Sequence, residues 1–221
     1  MKKLEAVIFD MDGVLFDTER MSCECCFEAA KQLGLTLAEE AVYGGNEASL
    51  RRHIMETEEP WYPNGTFPYE KYRERFMALF QESLERELPI KKGVRELLEY
   101  LKEKQIKTAI ASSTKGPLVR KHLERTGLSG YFQEIVSGDM VEKSKPEPDI
   151  YLKACETVGV LPENAMGIED SFNGIRAVAA AGMTAVMVPD MVQPDEEIRQ
   201  IYDYCVQDLL EVKELIELNG I

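Results

Sequence analysis

Positive charge is what this sequence has least of. Twenty-six Lys and Arg stand against 40 Asp and Glu, a formal charge of −14 over 221 residues. Phosphate backbones and anionic membrane surfaces are bound through clustered cations, so the balance argues against nucleic acid and membrane as partners. It also means that an anionic substrate has to be held by a few local positive charges with help from a metal cation. Long apolar runs are missing as well, and no stretch approaches the roughly 20 residues that cross a bilayer. Met1-Lys2-Lys3 opens like a secretion signal, but Glu5 and Asp10 interrupt the apolar region that has to follow. A cytoplasmic protein is expected, and Asn64-Gly65-Thr66 is then a chance match to a glycosylation acceptor inside a turn. Neither of the glycine-rich nucleotide-binding fingerprints occurs, and there is no internal repeat or low-complexity tract.

Cysteine is sparse and odd in number. Five thiols suit a reduced protein rather than a disulfide framework. Cys23 and Cys26 form a C-x-x-C, but inside an acid-bounded helical stretch and not at the start of a helix after a strand. No matching Cys or His pair lies elsewhere for zinc. Buried packing is the expected role, with redox or metal binding the lesser alternative.

What is present is an alternation of helix and strand from Leu88 onward. Val94, Leu97, Leu98 and Leu101 sit at helical spacing, so 93–104 is expected to be an amphipathic helix. Strands are expected at 6–9, 106–111, 134–136, 165–168 and 184–188, with helices between them. Two of those helices close at Gly127 and Gly159. This order implies an α/β fold built on a doubly wound, mostly parallel, Rossmann-like sheet. Residues 19–87 break the alternation and read as helices at 19–33, 36–42, 47–56 and 69–87. They are expected to be an inserted helical cap domain, with 1–18 and 88–221 forming the core domain.

Ligands of such sheets bind at the carboxyl ends of strands. Asp10 and Asp12, Ser112, and Glu169 with Asp170 each directly follow an expected strand. Acids there are costly without compensation. Two carboxylates about 4 Å apart repel by on the order of 4 kcal/mol at an effective dielectric of 20. That is roughly three pKa units, enough to separate their roles into nucleophile and proton carrier. A cation on one acid keeps it ionised while the other carries a proton for part of the cycle. Gly13 permits a sharp turn beyond them. Ser112-Ser113-Thr114 offers hydroxyls and amides for a phosphate, or simply caps a helix. Lys145 precedes a rigid Pro146-Glu147-Pro148 turn, and Glu169 and Asp170 are hard oxygen ligands of the kind Mg²⁺ prefers.

Together, "DMDGVLFD", the Ser112 segment, "SKPEPD" and "GIEDSFNGI" resemble the haloacid dehalogenase superfamily, specifically its phosphatase and β-phosphoglucomutase-like branch of subfamily IA. The resemblance runs over nearly the whole chain. It implies that Asp10 is the phosphate-accepting nucleophile and Asp12 the general acid/base. Ser112, Ser113 and Lys145 would hold the phosphoryl group, Asn46 of the cap loop would meet the substrate, and Mg²⁺ would be held by Asp10, the Asp12 carbonyl, Glu169 and Asp170. A small phosphorylated metabolite, such as a sugar phosphate, is the implied partner, and a monomer is compatible with the sequence.

The chain departs from the mutase pattern. Ser22 stands where that pattern carries a histidine, and the cap loop 43–50 has no Lys or Arg before Arg51. A bisphosphate intermediate that reorients needs such cations, so phosphatase is the expected activity and mutase the alternative. His53 is expected on a solvated face, and His122 to be structural or exposed. Trp61 and Tyr62 either line a substrate entrance or pack the cap loop. Lys115 either meets substrate or is solvated at a helix start. A phosphoacceptor signalling module is disfavoured by the inserted block and by Asp12.

Overall fold

A computed structural model describes residues 3–37, 42 and 67–218 of the chain. They divide into two compact units, one made of the residues up to Asp17 with those from Pro89 onward, the other running Thr18–Leu88. Asn46, His53, Trp61, Tyr62 and the expected helix at 47–56 lie outside the described residues.

The first unit is a six-stranded, all-parallel sheet: β1 (Ala6–Phe9), β2 (Lys107–Ser112), β3 (Glu134–Ser137), β4 (Ala165–Glu169), β5 (Thr184–Met187) and β6 (Tyr204–Cys205), in the order β3-β2-β1-β4-β5-β6. Every residue of β1 and β4 is buried, as an apolar run without alternation requires when helices cover both faces. Ala6 and Ile8 share one face with Ala109 and Ala111, packed under Ile150, Ala154 and Val158 of one helix and Ile175 and Val178 of the next. Val7 and Phe9 point to the opposite face. Phe9 meets Phe132 there, edge to face at 5.8 Å. Full burial of Ile8 and Phe9 contributes about 1.5–3 kcal/mol each, the reservoir against which an acid at the strand end is set.

The helices of this unit are Val94–Glu103, Gly116–Thr126, Asp149–Val158, Phe172–Ala180 and Leu209–Leu218. With Thr18–Gln32 and Tyr69–Arg86 of the other unit counted first, they are α3 to α7 after α1 and α2. Val94, Leu97, Leu98 and Leu101 of α3 are all buried, so the 3.6-residue stripe is the face that packs. β6 and α7 are not anticipated by the sequence reading. β6 is two residues long, neither of them buried, too short to leave a periodic signature. α7 carries a clear stripe, Leu209, Val212 and Ile216, that packs against α3.

In the second unit α1 packs on α2. Cys23, Cys25 and Cys26 are buried on α1, as are Tyr72 and Phe76 on α2. Cys25 Sγ donates to Ser83 Oγ at 3.6 Å, and burial pushes the Cys26 thiol up to about 11. A thiol so far from its thiolate is a packing group, not a nucleophile. His122 is the structural alternative of the two expected for it. It lies buried on α4 with its ring edge-on to Phe16 at 6.0 Å.

Candidate active site

The strand order reverses between β1 and β4, and both strands stop at the same level of the sheet, with Phe9 beside Ile168. Asp10 follows β1, its amide donating to Ile168 O at 3.0 Å. Glu169 ends β4, and Asp170 is the next residue. This is the switch-point crevice where doubly wound sheets bind ligands.

The turn after Asp10 is closed by Leu15 N donating to Met11 O at 2.9 Å and Gly13 N to Phe16 O at 3.0 Å. Gly13 has φ +82°, and a Cβ there would lie 2.0 Å from Asp170 Oδ2. Glycine is therefore demanded twice, by the backbone and by the carboxylate occupying the space its side chain would take. At Gly174 a Cβ would lie 1.9 Å from Glu169 Cδ, so the first turn of α6 can pass over that carboxylate only without a side chain. The glycines of the first and last motifs make room for the two acids of the last.

Lys145 reaches this point from the loop before α5. Its Nζ donates to Asp10 Oδ1 at 2.5 Å, Glu169 Oε1 at 2.6 Å and Ala111 O at 3.0 Å, using one acceptor from the end of each of β1, β4 and β2. Asp10, Glu169 and Asp170 each place a carboxylate oxygen within 4.8 Å of the others. Three carboxylates thus meet, and one ammonium bridges two of them. The donors fit a hard divalent cation: oxygens only, carried on rigid strand ends.

The electrostatics follow from burial. The Lys145 side chain is 8% exposed and that of Asp10 10%. Burial pushes the Asp10 carboxyl up to about 8, further than Lys145 pulls it down, and Glu169 and Asp12 add to the rise. Burial pulls Lys145 down, but Asp10 and Glu169 outweigh it and hold the ammonium charged. In a simple ion pair the acid falls as the base rises. Here both rise, because one lysine is shared between two carboxylates and cannot offset the burial of both.

The remaining candidates lie beside this cluster. Ser112 is buried at the end of β2, its Oγ accepting from Thr114 N at 3.1 Å. Thr114 Oγ1 donates to Asp12 Oδ2 at 2.8 Å, so the turn after β2 grips the second acid of the turn after β1. Ser113 and Lys145 line a pocket of about 290 Å³ with Lys115, Asp139 and Ser144. Two residues have partners here that the sequence reading does not anticipate. Thr114 stands in the hydroxyl run and was legible there as a polar residue without an evident partner. Tyr151 reads as one more apolar position of an amphipathic helix, yet its hydroxyl donates to Glu169 Oε1 at 2.6 Å.

The chain is 38% identical over 186 residues to a phosphorylated carbohydrates phosphatase of Thermotoga maritima, covering 83% of this chain and 84% of that one. Its structure resembles that of CbbY from Rhodobacter sphaeroides in complex with phosphate (TM-score 0.71, 28% identity, 95% of this chain and 96% of the other). It also resembles β-phosphoglucomutase from Clostridium difficile (TM-score 0.72, 26% identity, 97% and 96%). Residues 7–188 match one family along their whole length, and by that match the chain belongs to the haloacid dehalogenase-like hydrolases.

Proposed function

We propose that the protein is a magnesium-dependent phosphatase of small phosphorylated metabolites, sugar phosphates or similar monoesters, acting through an aspartyl-phosphate on Asp10. One observation carries the reading: Lys145 joins Asp10 to Glu169 with Asp170 beside them, at the carboxyl end of the sheet. The relatives named as phosphatases support it. Asp10, Glu169, Asp170 and the Asp12 carbonyl would hold Mg²⁺, which would supply the positive charge that keeps buried carboxylates ionised and offsets charge on the phosphoryl oxygens.

The residues of the chain divide the work. An Asp10 carboxylate oxygen attacks phosphorus in line with the ester oxygen, forming the acyl phosphate as the ester P–O bond breaks. Lys145, with the hydroxyls and amides of the Ser112 and Ser113 turn, holds the transferring group. Asp12 gives its proton to the departing alkoxide, then takes one from the water that hydrolyses the aspartyl-phosphate. Thr114 orients the Asp12 carboxylate for both transfers. Residues 19–87 serve as a helical cap that selects the substrate, with Asn46 among its contacts, and the enzyme works in the cytoplasm without nucleic acid or membrane.

Asp10→Asn is expected to abolish phosphate release from monoesters with the fold retained, as followed by phosphate assay and circular dichroism. Wild-type turnover in that variant removes the nucleophile from Asp10. A second reading, a phosphosugar mutase, is favoured by the likeness to β-phosphoglucomutase. Ser22, where the mutase pattern has a histidine, weighs against it. A Mg²⁺-dependent screen with β-glucose 1-phosphate in which isomerisation outpaces hydrolysis reverses that order.

A further inference from the structure

Tyr151 is used by none of the steps above, yet it is fully buried against the site. It belongs to the first turn of α5, its amide donating to Pro148 O at 3.0 Å. The chain from Lys145 to Tyr151 therefore doubles back, and both ends of it arrive at the same oxygen. Glu169 Oε1 accepts from Lys145 Nζ and from the Tyr151 hydroxyl, each at 2.6 Å. Glu169 Oε2 accepts from Ser171 Oγ at 3.1 Å and Ser171 N at 3.4 Å. The Tyr151 ring also lies under Lys145, with Nζ 5.1 Å from its centroid. A carboxylate held at both oxygens cannot turn about its last bond, and an ammonium held over an aromatic face and among three oxygens cannot swing away.

We propose that Tyr151 is a positioning residue: its hydroxyl fixes the Glu169 carboxylate and its ring fixes Lys145, so that the cation-binding group and the phosphoryl-binding group stand in their working places before Mg²⁺ or substrate arrives. The proposal rests on the phosphatase reading for its effect on turnover, but not for its effect on metal binding. A tyrosine that merely packs the core would need a partner for its hydroxyl, and any buried acceptor would serve. Here the acceptor is a member of the acidic cluster and is shared with the lysine. Burial and the neighbouring Glu169 and Asp10 hold the phenol far from ionisation, so it stays a donor.

The test is calorimetric titration of Mg²⁺ alone into metal-free Tyr151→Phe and wild type, with hydrolysis of p-nitrophenyl phosphate at saturating Mg²⁺ read in parallel. Tyr151→Phe keeps the ring and loses only the hydroxyl. The Mg²⁺ dissociation constant is expected to rise about tenfold and kcat to fall by a similar factor, with KM changed by less than about twofold. In the Glu169→Gln background the same substitution is expected to have little further effect, since it acts through that carboxylate. Affinity and kcat within about twofold of wild type, with or without a lower melting temperature, overturn the proposal. So do losses that simply multiply in the double variant. Tyr151→Met, which fills the space without a hydroxyl, is read the same way should the phenylalanine variant not fold. A wild type that releases no phosphate from any monoester sinks the phosphatase reading, while the titration still judges Tyr151.

Discussion

Lys145 is the residue on which the site's electrostatics turn. Its ammonium is nearly buried and spans two buried carboxylates, so its removal leaves acids facing each other with their counter-charge gone. Breaking a buried pair in this way costs about 3–5 kcal/mol. Lys145→Met is therefore expected to lower the stability of the metal-free protein by about 3 kcal/mol, measured by urea unfolding in EDTA, with added Mg²⁺ restoring part of the loss. Its kcat is expected to fall by about 10²–10³, the usual cost of removing a charge-stabilising donor. Unchanged unfolding in EDTA would mean that the lysine compensates nothing. The position of Lys145 before a proline turn was legible in the sequence, as were Asp10, Asp12, Glu169 and Asp170 after their strands. The pairings of Thr114 and Tyr151 were not, because nothing local marks them. Their partners are 102 and 18 residues away, and only the folded sheet brings them together.

At the scale of elements, the strands and helices around the site were legible because each has a strong local signature. β1 and β4 are unbroken apolar runs, and α3 has a stripe at period 3.6. What sequence pattern does not show is why a glycine stands at 174, where helix propensity disfavours it. Gly174 lies in the first turn of α6, where alanine would gain up to about 1 kcal/mol of helix propensity. Against this, its Cβ would overlap the Glu169 carboxylate, and that carboxylate is held by Lys145, Tyr151 and Ser171 and cannot give way. Overpacking of this kind costs about 1–3 kcal/mol, so the clash outweighs the propensity. Gly174→Ala is expected to destabilise the protein by about 1–2 kcal/mol in thermal unfolding and to weaken Mg²⁺ binding, with the helix content in circular dichroism unchanged. A stabilised Gly174→Ala with normal metal affinity would show that Glu169 is free to move.

For the whole molecule, two acids, Asp10 and Glu169, are buried at one point of the described residues, and that makes folding stability depend on pH in a definite direction. In the metal-free protein Asp10 titrates near 8, against 3.8 for its ordinary value. The folded state therefore holds this proton more tightly than the unfolded chain does. The stabilisation is complete below the unfolded value and is lost as pH rises through the folded one. Between about pH 5 and 8 the metal-free protein is expected to lose stability at up to about 1.4 kcal/mol per pH unit, the slope of one proton. Mg²⁺, which favours the ionised carboxylate, is expected to flatten or reverse this slope, so its stabilising effect grows with pH. Asp10→Asn carries no titrating group at this position, and its metal-free form is expected to be more stable than wild type toward about pH 8 while inactive, the trade between stability and activity that charged sites impose. Calorimetric melting of both proteins in EDTA and in saturating Mg²⁺ across this range separates the contribution of Asp10 from that of the other carboxylates. Equal pH slopes for wild type and Asp10→Asn in EDTA would place the titrating proton elsewhere and leave Asp10 ionised at neutral pH without a metal, the opposite of what its burial dictates.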